Sequence, residues 1–139
     1  MNLKEIKKQS MLYERLKNNQ AGPGEYFFAF SDEQFTRGEK KIREISPEKI
    51  YKSTAGLFGT RKGLDEFYAH YDGVEKSIQE QCPPLGIFYY EYYNHEGDYG
   101  DDEAWDITRG YFPDFDFTVK KNANIVSAIK KEWAKRCNW

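Results

Sequence analysis

Pro83-Pro84-Leu85-Gly86-Ile87-Phe88-Tyr89-Tyr90-Glu91-Tyr92-Tyr93-Asn94 is the stretch on which the fold turns. Its run from Ile87 to Tyr93 is almost entirely aromatic and aliphatic, the composition of a strand. Strict alternation puts Phe88, Tyr90 and Tyr92 on one face and Ile87, Tyr89, Glu91 and Tyr93 on the other. Both faces are apolar enough to be covered, so the reading predicts a central strand over 87–93.

Upstream, Leu64, Phe67, Tyr68, Tyr71, Val74 and Ile78 recur at three-four spacing and predict a helix over 64–80, stopped by Pro83-Pro84. Residues 2–18 predict a helix with Leu3, Ile6, Tyr13 and Leu16 on one face. Ala21-Gly22-Pro23-Gly24 ends it, and Glu25–Phe30 follows as an aromatic strand. Ser31-Asp32-Glu33-Gln34 has the form of a capping box, with the Gln34 side chain expected to reach back to the Ser31 amide. It opens a helix to about Glu44, with Phe35 and Ile42 inward. Lys49–Ser53 predicts a short strand, and 56–63 a glycine-punctuated loop.

Downstream, Asn94–Asp101 is expected to be an acidic loop. Asp101 or Asp102 caps a helix bearing Ala104, Trp105, Thr108 and Phe112. Phe115–Val119 alternates like a strand. Ile125, Ile129 and Trp133 mark a final helix whose Lys130, Lys131, Lys135 and Arg136 suit a helix C-terminus. The sum is an α+β fold: a small, mostly antiparallel sheet of three or four strands with helices packed against it.

A chain of 139 residues fits one domain, 1–139. Mean hydropathy is low at -0.90, but 11 Tyr, 10 Phe and 3 Trp supply the bulk for a core. No apolar run reaches membrane-span length, and the start of the chain lacks the apolar stretch of a signal peptide. Cys82 and Cys137 have no metal or disulfide spacing, which predicts reduced thiols and a cytoplasmic setting.

Net charge is only -2, but it is unevenly spread. Residues 1–76 net +2, residues 77–118 net -9 with Arg109 as the lone base, and residues 119–139 net +5. An acidic middle precedes a basic tail.

Two segments are candidate sites. The first is Gly59, Thr60, Arg61 and Lys62, just before the helix over 64–80. Free amides at a helix N-terminus beside two cations could hold a nucleotide phosphate or another anion. The Gly-Lys-Ser/Thr ending of a Walker loop is absent, and the alternative is a surface loop whose glycines permit tight turns.

The second is the acidic stretch Glu91, Glu96, Asp98, Asp101, Asp102, Glu103 and Asp106. Such a run can present carboxylates to a basic partner, or can be a solvated surface with helix-capping acids. It lacks EF-hand spacing and a His-Glu-x-x-His helix, so no metal and no cofactor are expected. A metal-dependent hydrolase built on His95 and its neighbours therefore ranks third. His70 sits at the edge of a helical apolar stripe, where a core or boundary role is the ordinary one. No serine lies in a nucleophile elbow, so no catalytic residue is assigned and the enzyme reading is left open. The acids repel phosphates, so direct nucleic-acid contact is not expected.

Three stretches together carry a resemblance: Tyr26–Gly38, Gly56–Tyr68, and Tyr89–Asp98 with Asp102–Ile107 and on to Phe117. Over roughly residues 20–120 the chain resembles a family of small uncharacterised proteins from phages and mobile elements of gut bacteria. The resemblance implies a non-enzymatic accessory protein acting in the host cytoplasm. Its partner would be a host protein or nucleoprotein complex with a basic surface, as for an anti-CRISPR or other anti-defence inhibitor. The alternative function is a small-ligand binder at Gly59–Lys62, and the charge of the deepest pocket separates the two.

Overall fold

Asn2 opens the first helix by accepting the Glu5 amide at 3.0 Å. That helix, α1 (Leu3–Lys17), is the first element of a computed structural model that describes residues 2–137, leaving out the side chains of Asp98 and Tyr99. The described residues hold six α-helices and one three-stranded antiparallel sheet, so the fold is α+β. The chain divides into two compact units, 20–73 and 1–19 with 74–139.

In the unit 20–73 the sheet consists of β1 (Tyr26–Phe28), β2 (Tyr51–Lys52) and β3 (Leu57–Gly59), in the order β1-β3-β2. Tyr26 pairs with Gly59, Phe27 with Phe58 and Phe28 with Leu57. Directly opposed residues share a face, so one face carries Phe27 and Phe58 and the other Tyr26, Phe28 and Leu57. The helix α2 (Asp32–Arg43) covers the first face. Phe35 packs edge-on to both Phe27 and Phe58, and Gly38 lets the Phe27 ring settle on the helix backbone. The other face meets Phe67 of α3 (Arg61–Gln81), whose ring is edge-on to Tyr26 and Phe28.

The second unit is helical. It contains α1, the end of α3 from Val74, α4 (Pro84–Asn94), a 3₁₀ turn (Gly97–Gly100), α5 (Asp101–Tyr111) and α6 (Lys120–Arg136). α4 packs against α1, α5 and α6. Ile6, Phe88, Tyr92, Ala104, Val126 and Ile129 form one core cluster, and Tyr13, Ile78, Cys82 and Ile87 a second. At Gly86 the two helices come so close that a Cβ would lie 2.6 Å from the Cβ of Gln9.

The expected strand over 87–93 is therefore a helix. A segment enclosed by three helices is apolar all round, and such a run satisfies the strand and helix periods equally. The prolines decide it. Pro84 opens α4, where a missing N–H costs nothing, and Pro83 is extended.

Three further expectations change. Residues 115–119 form no strand: the Asp116 carboxylate accepts the Thr118 amide at 2.8 Å and its hydroxyl at 2.6 Å, which folds the chain into a side-chain-capped turn. Residues 56–63 are not a loop but the central strand β3 running into α3. Asn94–Asp101 is not an open loop either, since 97–100 is the 3₁₀ turn. At Ser31, the hydroxyl accepts the Gln34 amide as expected, but the Gln34 carbonyl receives the Phe30 amide instead, at 2.7 Å.

Candidate functional site

The acidic stretch separates into an inner and an outer group. Glu91 is the inner one, 0% exposed on α4. Its Oε1 accepts the Tyr13 hydroxyl at 2.8 Å and meets the Lys17 ammonium at 2.5 Å, both from α1. Its Oε2 faces His95 Nε2 at 3.1 Å, one turn along α4. The other ring nitrogen, Nδ1, lies 2.8 Å from Glu103 on α5. A buried carboxylate is tolerated only with such partners. Burial and the neighbouring Glu91 charge push the Tyr13 hydroxyl far above its ordinary pKa, so it stays a donor. Lys17 also lies over the Tyr13 and Tyr90 rings, at 5.7 and 5.4 Å. Glu91 thus ties α4 to α1 and, through His95, to α5, and is withdrawn from any surface.

The remaining acids lie on α5 and the turn before it. Asp101, Asp102 and Glu103 fill the first turn of α5 and complement its dipole. The residue that caps the helix is Gly100, with no side-chain bond, so neither Asp101 nor Asp102 caps it as expected. Asp101 is half-buried and paired with Lys130 of α6 at 3.1 Å. Asp102, Glu103 and Asp106 are exposed, while Ala104 and Thr108 on the opposite side of α5 are buried. Asp106 is 3.6 Å from Arg109, an exposed pair of little energy. Glu96 is exposed with a left-handed backbone, φ 64°. Asp98 lies outside the described side chains.

The second candidate, Gly59–Lys62, is occupied from within. The Thr60 hydroxyl accepts the Gly63 amide at 3.1 Å and donates to Glu25 Oε1 at 3.0 Å. The other Glu25 oxygen is 3.8 Å from Lys62. A carboxylate of the chain itself therefore sits where an anion at the start of α3 would bind. The glycines admit this approach, because a Cβ on Gly63 would fall 2.0 Å from the Glu25 carbonyl oxygen. The adjoining cavity, about 760 Å³, sets Glu25, Glu48, Asp65 and Glu66 against Lys49, Arg61 and Lys62. Another cavity of about 690 Å³, walled by Pro83, Pro84, Leu85, Phe115 and Ile125, has one cation, Lys121. The cavity beside Gly59–Lys62 thus carries more acids than bases, the second has a lone cation on an apolar wall, and a third, beside Trp105 and Phe117, has Lys130 and Lys131 without an acid.

His70 is half-buried and edge-on to Tyr71. Among the described residues, no three His, Cys, Asp or Glu side chains are grouped to hold a metal ion, and no helix is long and apolar enough to cross a membrane.

No family model, curated protein or solved structure matches the chain.

Sequence reasoning missed the network around Glu91. One signal was there: Glu91 is the single acid in a run of aromatic and aliphatic residues, and His95 follows it at helical spacing.

Proposed function

We propose that this chain is a non-enzymatic binding protein that offers the outer face of α5 to a basic surface of a macromolecular partner. The carrying observation is that Asp102, Glu103 and Asp106 are exposed on one side of a helix whose opposite side fills the core. Like charges gathered on a fixed helix repel one another, and a basic partner relieves that repulsion and is steered in by it. The Glu25 carboxylate, bonded to Thr60 and facing Lys62, favours this reading over a nucleotide or anion binder at Gly59–Lys62.

The resemblance supplies the setting: a phage or mobile-element accessory protein working in the host cytoplasm. Its partner is then a host protein or nucleoprotein complex, and anti-CRISPR or other anti-defence inhibition is the biological class.

The test uses the double variant Asp102→Asn with Asp106→Asn, which keeps the shape of α5. A partner captured from gut-bacterial host lysate should associate more slowly with the variant, and the wild-type rate should fall as salt rises. Equal association rates at low salt would remove α5 as the binding face.

A further inference from the structure

His95 joins the buried carboxylate of Glu91 to the exposed face of α5. Its Nε2 is 3.1 Å from Glu91 and its Nδ1 is 2.8 Å from Glu103. Only the doubly protonated ring donates from both nitrogens. When the ring loses a proton, one nitrogen turns a lone pair towards a carboxylate oxygen. The two carboxylates are unequal, because Glu91 is 0% exposed and the Glu103 side chain is 67% exposed. Depriving a buried carboxylate of a donor costs more than returning an exposed one to water. The neutral ring therefore keeps its proton on Nε2, facing Glu91, and repels Glu103.

The surrounding groups leave that choice in place. From α1, Tyr13 and Lys17 face only Glu91 Oε1, away from the ring-facing Oε2. Among the described side chains, the 3₁₀ turn adds no charge, and it brings the backbone of Gly100 against His95. From α5, the facing group is Glu103 itself.

We propose that His95 is a proton-operated clasp: charged, it withholds Glu103 from the acidic face of α5; neutral, it releases it. This rests on the reading of α5 as a binding face and names its regulation. Histidine is the side chain suited to such a role near neutral pH. Releasing the clasp takes away one positive charge and adds Glu103 to Asp102 and Asp106. Binding and protonation are reciprocal, so a basic partner that engages Glu103 expels the proton.

The clasp is tested in the free protein by NMR, following the Glu103 carboxylate carbon and the His95 Hε1 proton from about pH 6 to about pH 8.5, above the ordinary titration of exposed carboxylates. The two signals should move with one midpoint, and in His95→Gln the Glu103 signal should stay flat. A flat Glu103 signal in the wild type overturns the proposal, as does an unchanged response in His95→Gln. The wild-type measurement decides alone if the variant does not fold. A decalysine peptide supplies the binding arm. Its affinity should rise roughly two- to fivefold across the same range at low salt, and less in His95→Gln. Binding that ignores pH overturns the regulatory role. No binding at any pH removes the α5 face as a polycation site, and the clasp then stands or falls on the NMR result.

Discussion

Glu91 on α4 and His95, which caps the end of that helix, stand one turn apart with Oε2 and Nε2 at 3.1 Å, and the carboxylate of that pair has no exposed surface. Replacing Glu91 with Gln keeps an acceptor for Tyr13 but removes the charge that Lys17 and His95 face. A loss of about 1–3 kcal/mol is expected in a urea melt. Combined with Tyr13→Phe, the losses should be less than additive, because both changes remove one shared hydrogen bond. Additive losses would show that the bond contributes nothing.

Four helical glycines should divide by sign. An alanine at Gly38 would put its Cβ 2.2 Å from the Phe27 ring, and one at Gly86 would put it 2.6 Å from Gln9 Cβ. Each should cost roughly 1–3 kcal/mol through overpacking. Nothing lies within 4 Å of a Cβ built at Gly73 or Gly110, so alanine there should stabilise by up to about 1 kcal/mol. Thermal melts of the four variants check this, and a uniform sign would refute the close approaches.

Phe67 and Tyr71 are half-buried, and their rings lie 4.8 Å apart. Phe67→Ala should cost about 2 kcal/mol, below the 3–5 kcal/mol of a fully buried ring. A loss under about 0.5 kcal/mol would place the ring outside the packing of the sheet.

Acid should weaken the protein through Glu132. Burial alone would raise its pKa, but the Lys7 ammonium and the Tyr89 hydroxyl outweigh that and hold it below the ordinary value. A carboxylate with a depressed folded pKa adds stability above its unfolded value and loses it as pH falls through the folded one. The loss should begin near the ordinary glutamate value of 4.5 and continue below it. In Glu132→Gln the fall of melting temperature with acid should be shallower than in the wild type. Parallel curves would count against the Lys7–Glu132 contact.

Much of the architecture is legible in the residues. Ser31 and the three-four spacing of 64–78 mark helices by local chemistry, and local chemistry is what a sequence displays directly. The run 87–93 is not legible, because enclosure on every side erases the amphipathic period that separates helix from strand. The pairing of Leu57–Gly59 with both neighbours depends on a partner some thirty positions away, Tyr26–Phe28, and on glycines that read as loop residues in isolation. Of the site, the exposed acids of α5 follow from charge alone. The division of Glu91 from them does not, since it depends on Tyr13 and Lys17 arriving from the start of the chain.

Cys82 is 2% exposed and its thiol pKa is pushed up by burial, whereas Cys137 is half-buried. A thiolate is the form that reacts with alkylating reagents, so the two sulfurs keep different time. Cys137 reads out the folded surface, and Cys82 reacts only when the helical unit opens. Its labelling rate under native conditions, compared with that of an unfolded peptide, is a built-in measure of how often the core around Ile78 and Ile87 comes apart.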